Sequence, residues 1–133
     1  MDSSSIDEKV LMRKADLLIA DGLHEKAISC LDEILQVNPL NENALSLKGL
    51  ACCLMGESEK GFEFLEEALD MDPFSKFALI TFADAYLRCS MAEKSLDILE
   101  RAISYYPDDD GFVMLKMVIN GAINRVSSNA CLN

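Results

Sequence analysis

The sequence predicts an all-α chain, a right-handed α-solenoid of three helical hairpins closed by a capping helix. Three observations carry this prediction. The three prolines, Pro39, Pro73 and Pro107, stand 34 residues apart. At the same shift Leu11/Leu45/Leu79, Glu25/Glu59/Glu93, Lys26/Lys60/Lys94 and Leu31/Leu65/Leu99 recur, so one unit is written three times. Between the prolines, apolar residues return at steps of three and four, as in Leu11, Ala15, Leu18 and then Ala27, Leu31, Ile34, which is the signature of amphipathic helices.

Each helix start has a physical reason. Asp7, Asn41, Ser75 and Asp109 all carry a side-chain oxygen able to accept from the free N–H groups of a first helical turn. The prolines lie two residues earlier, where they stop the preceding helix from continuing. Gly22 and Gly56 divide the first two units into halves, and Ser90 takes that place, with more strain, in the third. Helices are therefore expected at 8–21 and 24–37, 42–55 and 58–71, and 76–89 and 92–105. Ala15, Gly49 and Ala83 on the first helices, and Ala27, Gly61 and Ser95 on the second, are small where paired helices must approach closely. One domain results, residues 1–126, with repeats 8–41, 42–75 and 76–109, a capping helix at 110–126, a loose polar lead at 1–6 and a flexible tail at 127–133.

The capping helix is unusual. Phe112, Val113, Met114, Leu115, Met117, Val118, Ile119 and Ile123 leave only a narrow polar stripe of Lys116, Asn120 and Asn124. Met117 also occupies the slot that is small in the three repeats. More than one face of this helix seeks burial, either against the third hairpin or against another surface.

With this period, this pairing of helices and this closing proline, the chain resembles the tetratricopeptide-repeat family over residues 8–109. The resemblance implies a binding surface lined by the first helix of each pair. Carried over position by position, that surface holds Lys9, Met12, Asp16 and Ile19; Asn43, Ser46, Leu50 and Cys53, with Leu54 beside them; and Phe77, Ile80, Asp84 and Leu87. Met114 and Val118 extend it onto the cap. The partner-binding residues expected from it are Met12, Ile19, Leu50, Cys53, Leu54, Phe77, Ile80, Asp84, Leu87, Met114 and Val118. The family's best-known peptide mode is a clamp of lysines, asparagines and an arginine that grips a terminal carboxylate of heat-shock chaperones. Its five positions here are Met12, Asp16, Leu47, Phe77 and Thr81, which lack the required donors. A sticky groove suits an amphipathic helix or an extended segment with apolar anchors. Short, acidic, three-unit members of this character look like the small cytosolic chaperones of type III secretion. Two functions are thus expected, a chaperone or adaptor that shields an apolar segment of another protein, and a scaffold whose last helix pairs between copies, giving a homodimer.

Composition narrows the class. Twelve basic residues against 23 acidic ones give a net charge of −11, which opposes binding to nucleic acid or to anionic membrane surfaces. No apolar stretch approaches the roughly 20 residues of a membrane span, and the first residues lack a secretory pattern, so a cytoplasmic location is expected. Half of the residues are hydrophobic, enough for a core without staples. Cys30, Cys52, Cys53, Cys89 and Cys131 show no ligand spacing and read as reduced, small apolar residues. His24 reads as a solvent-facing turn residue, and Asp108, Asp109 and Asp110 as helix-capping acids without the alternation of a calcium loop. No catalytic residue, metal site or cofactor is expected.

Overall fold

The computed structural model describes residues 7–132, and side-chain surroundings over 7–126. The expected lead at 1–6 and Asn133 lie outside the described residues. Seven helices follow in order: α1 (Glu8–Ala20), α2 (His24–Val37), α3 (Glu42–Leu54), α4 (Ser58–Met71), α5 (Lys76–Arg88), α6 (Ala92–Tyr105) and α7 (Asp110–Leu132). The second helix of every hairpin spans the residues its pattern predicts. The first helices close slightly early, because the turn residue after each draws its last carbonyls into a tighter closure.

Side-chain caps sit where the residue types require them. Asp7 Oδ1 accepts from the N–H groups of Lys9 and Val10 at 3.1 and 3.2 Å. Asn41 Oδ1 accepts from Ala44 N–H at 3.0 Å, and Ser75 Oγ from Ala78 N–H at 3.1 Å. Asp109 Oδ1 accepts from Gly111 N–H at 3.0 Å and so opens α7. The second helices have no such cap. Their approach is set by a left-handed turn residue instead, Gly22 (φ 81°), Gly56 (φ 87°) and Ser90 (φ 61°). After each one the next N–H donates back across the turn, Leu23 to Leu18 O, Glu57 to Cys52 O and Met91 to Tyr86 O, at 2.8 to 2.9 Å.

Within the middle hairpin α3 and α4 nearly touch. A Cβ added at Gly61 would stand 2.5 Å from Gly49 O and 2.5 Å from Cys53 Sγ. In the third hairpin Ser95 Oγ donates to the carbonyl of Ala83 at 2.8 Å, so a buried hydroxyl is satisfied at the crossing. In the first, Ala15 and Ala27 are both fully buried. The core runs along the array through Leu31, Ile34, Leu65, Leu79, Leu99 and Phe112. Phe62, Phe82 and Tyr86 join hairpins two and three, with Tyr86 ring centres 4.7 Å from each of the other two.

Helix α7 packs on α6 through Phe112 and Ile119, with Leu115 and Ile123 beside them. Among the described residues, no Cα of α7 lies within 8 Å of α5. The helix also continues through residues 127–132, where a tail is expected. The physical reason is local: no glycine or proline follows Gly121 to end it. His24 differs from expectation too. It is half-buried as the first residue of α2, and its Nδ1 is shielded from solvent without a hydrogen-bond partner.

The three left-handed positions make a clean comparison. A Cβ at Gly56 would meet nothing within 4 Å, so Gly56→Ala loses stability through backbone conformation alone, by about 1 kcal/mol. Ser90→Gly relieves the same strain and is expected to gain about 0.5–1 kcal/mol. Urea denaturation midpoints of the two variants should move in opposite directions.

Candidate functional site

The inner wall of the solenoid is built by α1, α3 and α5, and the three helices contribute unequally. Helix α3 is packed on one side by α1 and on the other by α5. Its expected binding residues Leu50 and Cys53 consequently sit in the core, each 7% exposed, and Ser46 is fully buried. Cys53 turns inward because Gly61, lacking a side chain, leaves room for its sulfur. These two residues therefore serve packing and not a free surface. Leu54, Met12 and Ile19 are half-buried against the core.

Helix α5 supplies the apolar part of the wall. Phe77, Ile80 and Leu87 are 38%, 46% and 39% exposed along its inner face. Among them Asp84 is held by Arg88, one turn on, with Nε to Oδ1 at 3.2 Å. Toward the first hairpin the wall becomes polar. An open hollow of about 690 Å³ is bounded by Lys9, Met12, Arg13 and Asp16 of α1, Asn43 and Leu47 of α3, and Phe77 of α5. Of the residues expected from sequence, Met12 and Phe77 thus meet across one hollow. Ile80 and Leu87 continue the strip away from it.

Met114 and Val118 stand apart from this wall. They are 64% and 65% exposed, on a face of α7 opposite the one laid on α6. Met117 (67% exposed) joins them, and sequence reasoning left it out of the site. Its signal was present, since a large residue filled the slot that the repeats keep small. Arg13 and Glu8 were also missed as neighbours of the hollow. Glu8 Oε1 accepts from Asn41 Nδ2 at 2.8 Å and from Asn38 Nδ2 at 3.3 Å, tying α1 to the turn before α3.

Two thiols of the middle hairpin are held away from the reactive thiolate. Burial pushes Cys53 up to about 12, with the adjacent Cys89 adding to the rise, and burial raises Cys52 as well. Cys30, Cys52, Cys53 and Cys89 are all free. Among the described residues no cluster of histidine, cysteine or acidic side chains could hold a metal ion. Asp109 is held below the usual carboxylate range by a hydrogen bond from Lys76, whose Nζ lies 3.1 Å from Oδ2. Lys76 also lies over the Tyr106 ring, 4.6 Å from its centre, so this acid has a structural task at the start of α7.

A profile described as tetratricopeptide repeat matches residues 8–39, the first hairpin. The other two hairpins reproduce its helix pair, left-handed turn and proline. The first hairpin is thus a tetratricopeptide repeat, and the chain as a whole has the fold of a tetratricopeptide-repeat solenoid. Among solved structures, this array is similar to the Sgt2 TPR domain from Aspergillus fumigatus, at 20% identity and a TM-score of 0.72, covering 95% of this chain and 85% of that one. It is also similar to the first TPR of Spaghetti (RPAP3) bound to the HSP90 peptide SRMEEVD, at 17% identity and a TM-score of 0.69, covering 93% and 99%. A chain of the Naa15/Naa10 complex bound to HypK-THB matches with a TM-score of 0.77 at 19% identity. There the match covers 92% of this chain but only 18% of the other, so the tetratricopeptide array here spans a small part of that protein. Among curated proteins nothing matches the chain. Among the described residues no helix is long and apolar enough to cross a membrane.

The thiol environment is open to direct measurement. In the native protein Cys53 is expected to alkylate with iodoacetamide at neutral pH at least about tenfold more slowly than a free thiol, and at the ordinary rate after unfolding. Peptide mass spectrometry over a time course reads both rates.

Proposed function

We propose that the chain is a non-catalytic protein-binding module, a chaperone or adaptor, whose inner wall takes an apolar helical or extended segment of a partner protein. The observation that carries this reading is the strip of Phe77, Ile80 and Leu87, three large apolar side chains left open on one helix of a folded array. Covering two or three such side chains contributes roughly 1.5–3 kcal/mol each before the cost of ordering the ligand. That is enough for micromolar binding.

A peptide ligand is compatible with this fold, since the first TPR of Spaghetti (RPAP3) was solved bound to the HSP90 peptide SRMEEVD. The chemistry of the groove argues for a different peptide. The five clamp positions are Met12, Asp16, Leu47, Phe77 and Thr81, and two of them, Leu47 and Thr81, are buried. None carries a positive charge for a carboxylate, the one hydroxyl, Thr81, is buried, and Asp16 repels an anion. A net charge of −11 further disfavours an acidic ligand. The finer form of the proposal is a small cytoplasmic chaperone like those of type III secretion, supported by the acidic three-hairpin array and by four free thiols, three of them buried, that suit a reducing compartment.

Selection from a random peptide library should return segments with two or three apolar anchors. Ile80→Glu is expected to weaken a selected peptide by about 30-fold, because a charge would replace roughly 2 kcal/mol of apolar burial. Circular dichroism should stay unchanged, as Ile80 lies on the surface; undiminished affinity would reject the groove. Separately, isothermal titration with SRMEEVD should give binding no tighter than about 1 mM. Micromolar binding of that peptide would return the clamp to favour.

A further inference from the structure

We infer that α7 is a self-association helix, through which two copies of the chain join with their α7 helices antiparallel. Three observations lead there. First, the helix has two faces, set by its 100° step per residue. Phe112, Leu115, Ile119 and Ile123 lie toward α6, and Met114, Met117, Val118 and Gly121 lie on the opposite side. Met114, Met117 and Val118 are each more than 60% exposed, so the opposite face is apolar and uncovered. A partner seated on it would lie on the far side of α7 from the body of the array, and two bodies would not collide.

Second, the charge of the chain selects where copies can meet. Residues 110–133 hold Asp110, Lys116 and Arg125 as their only charged side chains, a net +1, which leaves −12 on residues 1–109 out of the total of −11. Two such acidic bodies repel each other at most orientations. The face of α7 is where that repulsion is absent. Lys116 does not alter this, because it points to the body and pairs with Glu100 of α6 at 3.3 Å.

Third, the exposed face is complementary to itself in one antiparallel register. Setting Met117 against Val118 of the other copy places Met114 opposite Gly121, a long side chain over a missing one. The same register sets Asp110 opposite Arg125. The Arg125 guanidinium already lies along this stripe, with Nη1 3.7 Å from where a Cβ of Gly121 would stand. Large meets small and acid meets base, twice over by symmetry, as an isologous contact requires.

Sedimentation velocity of the full chain from about 1 to 100 µM tests this. The wild type is expected to move from one to two chain masses. Val118→Glu should weaken association at least tenfold with helicity retained, since the position is exposed. Asp110→Arg and Arg125→Asp should each weaken it, and the double variant should recover it. Ile80→Glu, on the inner wall, should leave it unchanged. A wild type that stays monomeric throughout, a Val118→Glu variant that still dimerises, or a double variant as weak as the single ones would overturn the proposal. Loss of the dimer in Ile80→Glu would overturn it as well, by moving the contact to the groove.

Discussion

Within each hairpin the two helices cross at small residues, Gly49 over Gly61 in the middle unit and Ala83 over Ser95 in the third. At Gly61 no side chain can exist without displacing the Gly49 backbone. Glycine inside a helix costs about 1 kcal/mol relative to alanine, so both glycines oppose the helices that contain them. They persist because contact between the backbones fixes the spacing of the hairpin, and every later feature inherits that spacing. The depth at which Cys53 is buried, the stacking of Phe62 with Phe82 and Tyr86, and the curvature that presents α5 all depend on it.

Burial then varies along the array. The middle hairpin has a neighbour on each side, and its inner residues sink into the core. The third has α7 against α6 alone, which leaves the inner face of α5 uncovered. Apolar surface is therefore concentrated on α5 and on the far face of α7, two areas with different surroundings. The first carries Asp84 and Arg88 as a mutual pair among its apolar side chains. The second lies on a helix nearly free of acid. The wall proposed for a foreign segment and the face proposed for a second copy thus lie on different helices.

Most of the fold was legible because the sequence repeats its punctuation. Asp7, Asn41, Ser75 and Asp109 could be read as caps from chemistry alone, and Ser90 as a strained stand-in for glycine from its register with Gly22 and Gly56. The candidate site was less legible. Periodicity tells which way Leu50 and Cys53 point, but how deeply they sink depends on two flanking helices that no local pattern describes. Gly61, in another helix, decides the fate of Cys53. The end of α7 shows a related limit: residues 127–133 carry no helical period and read as a tail, yet α7 runs on through 127–132, where nothing breaks a helix. His24 shows the same limit, since its shielding comes from packing around the turn.

The turns between hairpins are also joined to one another across a full repeat. Glu8 holds Asn38 and Asn41; the Tyr106 hydroxyl donates to the carbonyl of Phe74, and the Phe74 ring meets Tyr105 edge-on at 4.7 Å. Lys76 reaches Asp109 in the same zone. Such ties act like rungs fastening successive coils of a spring, so the pitch is limited from both ends. A spring held in this way resists stretching, and a polypeptide bound as proposed would meet a cradle whose width is already set. It would then have little of the host's freedom to quench on arrival.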